Sequence, residues 1–284
     1  QTVAEVAERF AASDIFYGHG TQSAWDEAVA LVTGVTGLPD DRGAAATELE
    51  PSAVEHIDQL AGRRIHERIP LAYLLGRVTY VGREFLIEPG IMIPRSPIAQ
   101  LINSAFRPWW RQQEPPGSIV DVCSGCGCLG ILCALEFPDA EVTLVEIEPA
   151  AVDIARRNVA LHGLEERVRV VRSDLFQAFE PQSWDLIVSN PPYVDSADLG
   201  ALPQEYRHEP ALGLAGGRDG LDIVARLLDA LPDRLASGGL FVCEVGASSA
   251  ALLRRYPREP FIWPDLPDGG EGVFVLEGNR RAGA

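Results

Sequence analysis

The chain predicts an α/β fold, with a mostly parallel sheet covered on both faces and a small helical domain ahead of it. Three observations carry that expectation. After Gly117, short apolar runs alternate with helix-length stretches; before residue 70, apolar residues recur at three- and four-residue spacing; and a glycine-rich turn directly follows the first apolar run after Gly117. A chain of 284 residues, 46% of them hydrophobic, is long enough for one large domain plus a smaller one.

In order, Val3, Val6, Ala7 and Phe10, then Trp25, Val29 and Val32, then Val54, Ile57, Leu60 and Ile65 mark helices, and Gly18, Gly20, Gly34, Gly37 and Pro39 mark the breaks. Residues 1–70 are therefore expected to form the helical domain. From Ala72 to Ile93 the pattern turns to β-type segments around Gly76, Gly82 and Gly90, a hairpin leading out of it. Ser96 to Trp110 is again helix-like and ends at Glu114-Pro115-Pro116-Gly117, so 71–116 reads as hairpin and connector. Residues 117–284 form the sheet domain. Its expected strands are Ile119–Cys123, Glu141–Ile147, Val168–Val171, Trp184–Ser189, Leu240–Val245 and Gly272–Leu276, with helices between most of them. There is no repeat and no low-complexity tract.

Composition narrows the function. The formal charge of −17 argues against binding a phosphate backbone and favours a basic partner. All 24 cationic residues are arginines, which excludes Schiff-base and lysine-nucleophile chemistry. No apolar run is long enough to span a membrane and no secretory series opens the chain, so a cytoplasmic protein is expected. Cys123, Cys126, Cys128 and Cys133 lie close together, and a zinc or redox site must be weighed. Only Cys243 remains to complete a thiolate set, the histidines are scattered, and the cysteines occupy a glycine turn that another ligand needs. No metal is therefore expected.

That turn is Asp121-Val122-Cys123-Ser124-Gly125-Cys126-Gly127-Cys128-Leu129-Gly130, which follows a strand and opens a helix with the spacing G-x-G-x-x-G. Such glycines let backbone approach a ligand at the carboxyl edge of a sheet. Glu146 ends the next strand, where a carboxylate can hydrogen-bond two ribose hydroxyls, and Asp174 follows the third, where it can lie beside an adenine edge. Taken alone, these features suit a dinucleotide and S-adenosylmethionine equally.

Asn190-Pro191-Pro192-Tyr193 follows the fourth strand at the same edge and favours S-adenosylmethionine. Two prolines fix the backbone and remove donors, so the loop presents carbonyls and the Asn190 side chain to a planar NH₂ group. An amide nitrogen is a weak nucleophile because its lone pair is delocalised. Two acceptors on the NH₂, the Asn190 side-chain oxygen and the Pro191 carbonyl, favour a pyramidal nitrogen aligned with the methyl sulfonium, while Tyr193 packs on the flat amide and the cationic methyl.

The series D-V-C-S-G-C-G-C, L-V-E-I, S-D-L-F and N-P-P-Y-V resembles the HemK/PrmB class of protein-(glutamine-N(5)) methyltransferases, from about Ile69 to the carboxyl end. The resemblance implies a seven-stranded, Rossmann-like methyltransferase sheet behind a helical substrate-recognition domain. It also implies that Asn190, Pro191, Pro192 and Tyr193 hold the glutamine amide and that Asp121, Cys123, Ser124, Gly125, Gly127, Glu146, Asp174, Leu175 and Asn190 hold the cofactor. Ile93-Pro94-Arg95-Ser96-Pro97-Ile98 and Glu205-Tyr206-Arg207-His208-Glu209-Pro210 are more similar to the branch that modifies the third protein of the large ribosomal subunit than to the release-factor branch. Arg95 is then a substrate-binding candidate. Cys126 and Glu146 depart from the class, which commonly has serine or threonine and aspartate there, and Gln100 departs from the ribosomal branch, which often has glutamate; the first suggests oxidation sensitivity.

Three alternatives stay open. Amino-methylation of adenine in nucleic acid uses the same loop logic, against the acidic balance and the lack of a basic cluster. A nicotinamide oxidoreductase explains the glycines and Glu146 but leaves Asn190-Pro191-Pro192-Tyr193 idle. A silent ribosome-assembly binder needs no cofactor at all.

Overall fold

The computed structural model describes residues 2–39 and 47–278. Its contacts divide the chain into two units: Gln1–Arg95 with Pro203–Glu209, and Ser96–Leu202 with Pro210–Ala284. The stretch expected to be one hairpin-and-connector segment is thus shared between them, and a short piece of chain far downstream joins the first.

In the first unit α1 (Thr2–Ala11), α2 (Ala24–Thr36) and α3 (Pro51–His66) bury Val6, Phe10, Ala28, Leu31, Ile57, Leu60 and Ala61 in one core. Each large apolar side chain so buried contributes roughly 1.5–3 kcal/mol, set against the entropy of ordering the chain. Ser23 caps α2 by accepting from the Asp26 N–H at 3.1 Å, and Gly37 ends it with φ 69°, where L side chains are strained. The inner face of α2 is Glu27, Ala28, Leu31 and Val32; of the expected Trp25, Val29 and Val32 only Val32 is buried, and Trp25 is 56% exposed. A charged residue shares the buried face because a buried arginine awaits it, which apolar periodicity alone does not register.

Leu71–Leu75 is a short helix, α4, rather than a strand, entered from Pro70 and closed by Gly76 at φ 69°. The hairpin follows as β1 (Arg77–Tyr80) and β2 (Arg83–Leu86), with Val81 and Gly82 both at positive φ in the two-residue turn. α5 (Ile98–Asn103) is shorter than the expected helix, because the backbone leaves helical geometry at Ala105 and Phe106, both at positive φ.

The second unit is a six-stranded sheet: β3 (Ser118–Val122), β4 (Glu141–Glu146), β5 (Val168–Arg172), β6 (Trp184–Ser189), β7 (Leu235–Glu244) and β8 (Val273–Glu277), in spatial order β5-β4-β3-β6-β7-β8. All neighbours are parallel except β7 and β8. α6 (Cys128–Glu136), α7 (Pro149–Leu161), α8 (Ala211–Leu214), α9 (Asp222–Arg234) and α10 (Ser249–Arg255) fill the connections. The methyltransferase-type, Rossmann-like class holds, but the described residues supply six strands rather than seven. Where a seventh would pair with β8, Ile262 makes one bridge to Val275, and Pro260 and Pro264, which have no N–H to give, flank it. No described helix is long and apolar enough to cross a membrane.

Candidate active site

The strand order reverses at β3, with β4 on one side and β6 on the other, and ligands of open α/β sheets bind at the carboxyl end of such a switch point. Val122 of β3 is level with Ser189 of β6, so Cys123 and Asn190 leave adjacent strands side by side. The Ser189 hydroxyl donates to the Val122 carbonyl at 2.7 Å and ties the two ends together.

Cys123 sits at φ 61°, Gly125 at 55° and Gly127 at 86°; a left-handed non-glycine residue is the kind of strain found at ligand-binding turns. Gly130 has to be glycine for another reason: a Cβ would lie 2.1 Å from Leu144 Cδ2, so α6 rests directly on the sheet. Asp121 is buried and accepts from the Gly130 N–H at 2.8 Å through one oxygen. Burial pushes its carboxyl up to about 7, with the Gly130 hydrogen bond opposing and the Glu146 charge adding. Its second oxygen, Oδ1, and the Ser124 hydroxyl are buried without a hydrogen-bond partner among the described residues. Buried polar atoms are rarely left so, and these two mark where a polar ligand group fits.

Glu146 is 9% exposed and aimed at the same turn. Its Oε2 accepts from the Gly125 N–H at 2.8 Å, and Oε1 from Ile147 and Glu148 at 2.8 and 3.0 Å. An ionised carboxylate offers about four lone-pair positions, so this one is oriented by backbone and keeps little capacity to spare. Asp174 is held by Arg226 at 2.8 Å and Gln177 at 3.0 Å, and Leu175 beside it takes φ 49°. Acceptance by Asp174 from an adenine competes with those donors.

Asn190 is half-buried and Pro191 buried. Among the described residues no hydrogen bond engages the Asn190 side chain or the Pro191 carbonyl. The loop downstream is fixed: Val194 donates to Leu214 at 2.9 Å and accepts from Gly216 at 2.8 Å, and the Tyr193 carbonyl accepts from Ser248 at 2.9 Å. The Tyr193 hydroxyl donates to Glu244 at 2.6 Å, and Ser96 donates to the other Glu244 oxygen at 2.5 Å. Glu244 and Ser248 escaped the sequence reading, and Ser96 entered it only within the Ile93–Ile98 segment and as the start of a helix-like stretch. An acid closing the apolar strand next to β6 was the available signal.

Arg95 belongs to the first unit, where its guanidinium pairs bidentately with Glu209 at 2.6 and 2.8 Å and lies 5.3 Å from the Tyr206 ring centroid. Glu209 also accepts from the Ile93 N–H at 3.0 Å. Burial alone would raise the Glu209 carboxyl, but His19 and Arg95 hold it down at about 2. Glu205 accepts from Phe16 N–H at 2.9 Å and from buried Arg64 at 3.2 Å, and Arg64 reaches Glu27 at 2.5 Å. The Glu205–Glu209 stretch is thus plugged into the first unit by both its acids.

The cysteines are all free thiols. Cys126 is only 1% exposed, and burial pushes the Cys123, Cys133 and Cys243 thiols up. A hydrogen bond with Cys126 leads the same shift at Cys128. Cys126 itself is buried, and the poor access opposes the oxidation sensitivity suggested for it. No metal-holding cluster of His, Cys, Asp and Glu occurs among the described residues.

Residues 110–203 match the family model described as the methyltransferase small domain. A methyltransferase structure from Pyrococcus furiosus superposes with a TM-score of 0.51 at 19% identity, covering 71% of this chain and 91% of its own, a likeness of fold. Relatives at higher identity are the ribosomal protein uL3 glutamine methyltransferases of Francisella tularensis, 41% identical over 93% of this chain and 85% of theirs, and of Bordetella pertussis, 41% identical over 94% and 91%. At that identity over nearly the whole of both chains, with the glycine turn and the Asn190 loop side by side at the switch point, the chain belongs to the family of ribosomal protein uL3 glutamine methyltransferases.

Proposed function

We propose that the protein transfers a methyl group from S-adenosylmethionine to the side-chain amide nitrogen N(5) of a glutamine in the large-subunit ribosomal protein uL3. One observation carries the chemistry: the Asn190 amide and Pro191 carbonyl, beside the glycine turn, are acceptors that no internal donor engages among the described residues. The relatives' names carry the choice of substrate.

The cofactor supplies an electrophilic methyl on a sulfonium when bound. Gly125 and Gly127 give it backbone access; Asp121 Oδ1 and the Ser124 hydroxyl take its polar amino-acid end; Glu146 takes the ribose side. Cys123, Asp174, Leu175 and Asn190 complete the cradle. Asn190 Oδ1 and the Pro191 carbonyl accept hydrogen bonds from the two N–H groups of the glutamine amide, which favours a pyramidal nitrogen whose lone pair is turned toward the methyl. Tyr193 covers the amide plane and Pro192 keeps the loop stiff. The substituted nitrogen becomes acidic and gives its proton to water without a strong base.

Residues 1–70 read the substrate, and Arg95 serves that surface by fixing Glu209 and Tyr206 as a rigid feature. A basic ribosomal protein suits the −17 charge, with an encounter rate that falls as salt rises; a nucleic-acid substrate does not suit it, and the cytoplasm is where such a substrate is met. Intact mass of uL3 and of a release factor, incubated together with enzyme and S-adenosylmethionine, tests this. One methyl on uL3 and none on the release factor is expected. Preferential methylation of the release factor refutes the substrate choice but not the amide chemistry, and methylation of neither refutes both.

A further inference from the structure

Two sequence stretches with no obvious connection, Pro94–Ile98 and Asn190–Tyr193, each send one hydroxyl to the same buried carboxylate. Glu244, the last residue of β7, is 5% exposed. Cys243 is level with Ser189 across the β6–β7 ladder, so Glu244 stands beside Asn190. Its Oε1 accepts from the Tyr193 hydroxyl at 2.6 Å and its Oε2 from Ser96 at 2.5 Å, the short distances of charge-assisted bonds.

The residues that follow grip the same tyrosine. A Cβ on Gly246 would lie 2.5 Å from Tyr193 Cε2, so only glycine lets the ring settle there. Ser248 donates to the Tyr193 carbonyl at 2.9 Å. Gly220 packs against that same hydrogen bond: a Cβ there would lie 2.0 Å from Ser248 Oγ and 2.3 Å from the Tyr193 carbonyl oxygen. Ring, hydroxyl and backbone are each fixed by a separate contact.

We infer that Glu244 is a positioning residue for methyl transfer, holding the Tyr193 ring at one angle over the amide through its hydroxyl while Ser96 anchors the carboxylate from the far side. The inference rests on the function proposed above. Two consequences follow. A tethered ring cannot swing about its Cα–Cβ bond, so the amide plane it covers keeps the alignment that the Asn190 and Pro191 acceptors require. Donation of the phenol proton toward a carboxylate also enriches the ring's electron density and strengthens the attraction of its face for a cationic methyl.

The test compares Glu244→Gln, Tyr193→Phe, Ser96→Ala and the Tyr193→Phe/Glu244→Gln double variant with wild type. Glu244→Gln keeps the shape but not the charge; Tyr193→Phe and Ser96→Ala keep the carboxylate and stand in if Glu244→Gln does not fold. Glu244→Gln and Tyr193→Phe should each lower kcat on uL3 about ten- to a hundredfold, the scale of a small misplacement, with KM and S-adenosylhomocysteine affinity within about twofold. Ser96→Ala should lower kcat less. Because the residues act as one unit, the double variant should be no slower than the slower single. Independent multiplication of the two losses, near-normal kcat in folded Glu244→Gln, or a parallel loss of cofactor affinity would overturn the inference. The ¹³Cζ resonance of Tyr193, assigned by its disappearance in Tyr193→Phe, supplies a reading without catalysis: it should shift in Glu244→Gln, and an unmoved resonance refutes the link even if uL3 proves not to be the substrate.

Discussion

Replacing Asp121 with asparagine should stabilise the protein at alkaline pH while weakening its hold on the cofactor. The Asp121 carboxyl is pushed from 3.8 up to about 7 by burial. That difference, about 3 pK units at ~1.4 kcal/mol each, puts the cost of an ionised Asp121 in the folded protein on the order of 4 kcal/mol. Since its folded pKa is raised, the native state keeps a proton that the unfolded chain releases. The penalty is absent below about pH 4, grows as pH rises to about 7 and is constant above. The substituted amide keeps an oxygen for the Gly130 N–H and carries no charge. Urea unfolding of both proteins should therefore show a stability gap, in favour of the variant, that widens by a few kcal/mol between about pH 5 and 8. An ammonium group beside Oδ1 requires the ionised acid, so calorimetry of wild type with S-adenosylhomocysteine should show release of about one proton per site at pH 6 and affinity falling up to tenfold per unit below about pH 7. The variant should bind weakly with little pH dependence. A stability gap independent of pH would show that Asp121 does not titrate there; pH-independent wild-type affinity would remove it from the cofactor's charged end.

Glu146→Ala should weaken S-adenosylhomocysteine binding about tenfold or more, the worth of a charge-assisted contact of ~1.5–3 kcal/mol, as read by calorimetry. Unchanged affinity in a folded variant moves the ribose elsewhere. In Asn190→Ala the loss should fall on kcat with cofactor affinity largely kept, and near-normal turnover sinks the mechanism. Gly130→Ala forces a methyl to 2.1 Å from Leu144 Cδ2 and should cost ~1–3 kcal/mol in denaturant unfolding as α6 is pushed off the sheet, whereas a neutral effect means the helix has slack.

Local signals were the legible ones. The β3–β6 strands, the glycine turn and the Asn190 loop declare themselves because each is a short run whose chemistry and conformation come from neighbours in sequence. Where a residue's role depends on a partner far along the chain, the pattern misleads. Glu27 joins the buried face of α2 only because Arg64, 37 residues on, supplies the charge. Leu71–Leu75 is too short for helical periodicity to emerge, and the apolar residues there suit a strand equally well. Glu205 and Glu209 lie downstream of the Asn190 loop yet complete the first unit, a pairing across 141 residues for Arg64–Glu205 that no local rule reports. The strand missing from the far edge of the sheet was legible in Pro260 and Pro264, had they been weighed against the count implied by resemblance.

Glu244 went unread for a different reason, which the register exposes. At the carboxyl edge Arg172 is level with Glu146, and one step beyond Val145, Val122, Ser189 and Cys243 come Glu146, Cys123, Asn190 and Glu244 on four successive neighbours. A parallel sheet leaves its last backbone groups and the first N–H groups of each departing loop without ladder partners there, so a polar side chain in this row is drawn into satisfying a loop. Glu146 does so for Gly125, Ile147 and Glu148. Glu244 does so for two hydroxyls, through side chains rather than backbone. Of the three strongly polar members of the row, Asn190 is the one whose side chain no loop claims among the described residues, and it stands between the strand that leads into the glycine turn and the strand that ends in Glu244. Its position therefore supports the proposed role of Asn190 independently of the motif around it: Glu146 spends three of its acceptor positions on backbone and Glu244 both oxygens on hydroxyls, whereas the Asn190 amide keeps its full hydrogen-bonding capacity for a bound group.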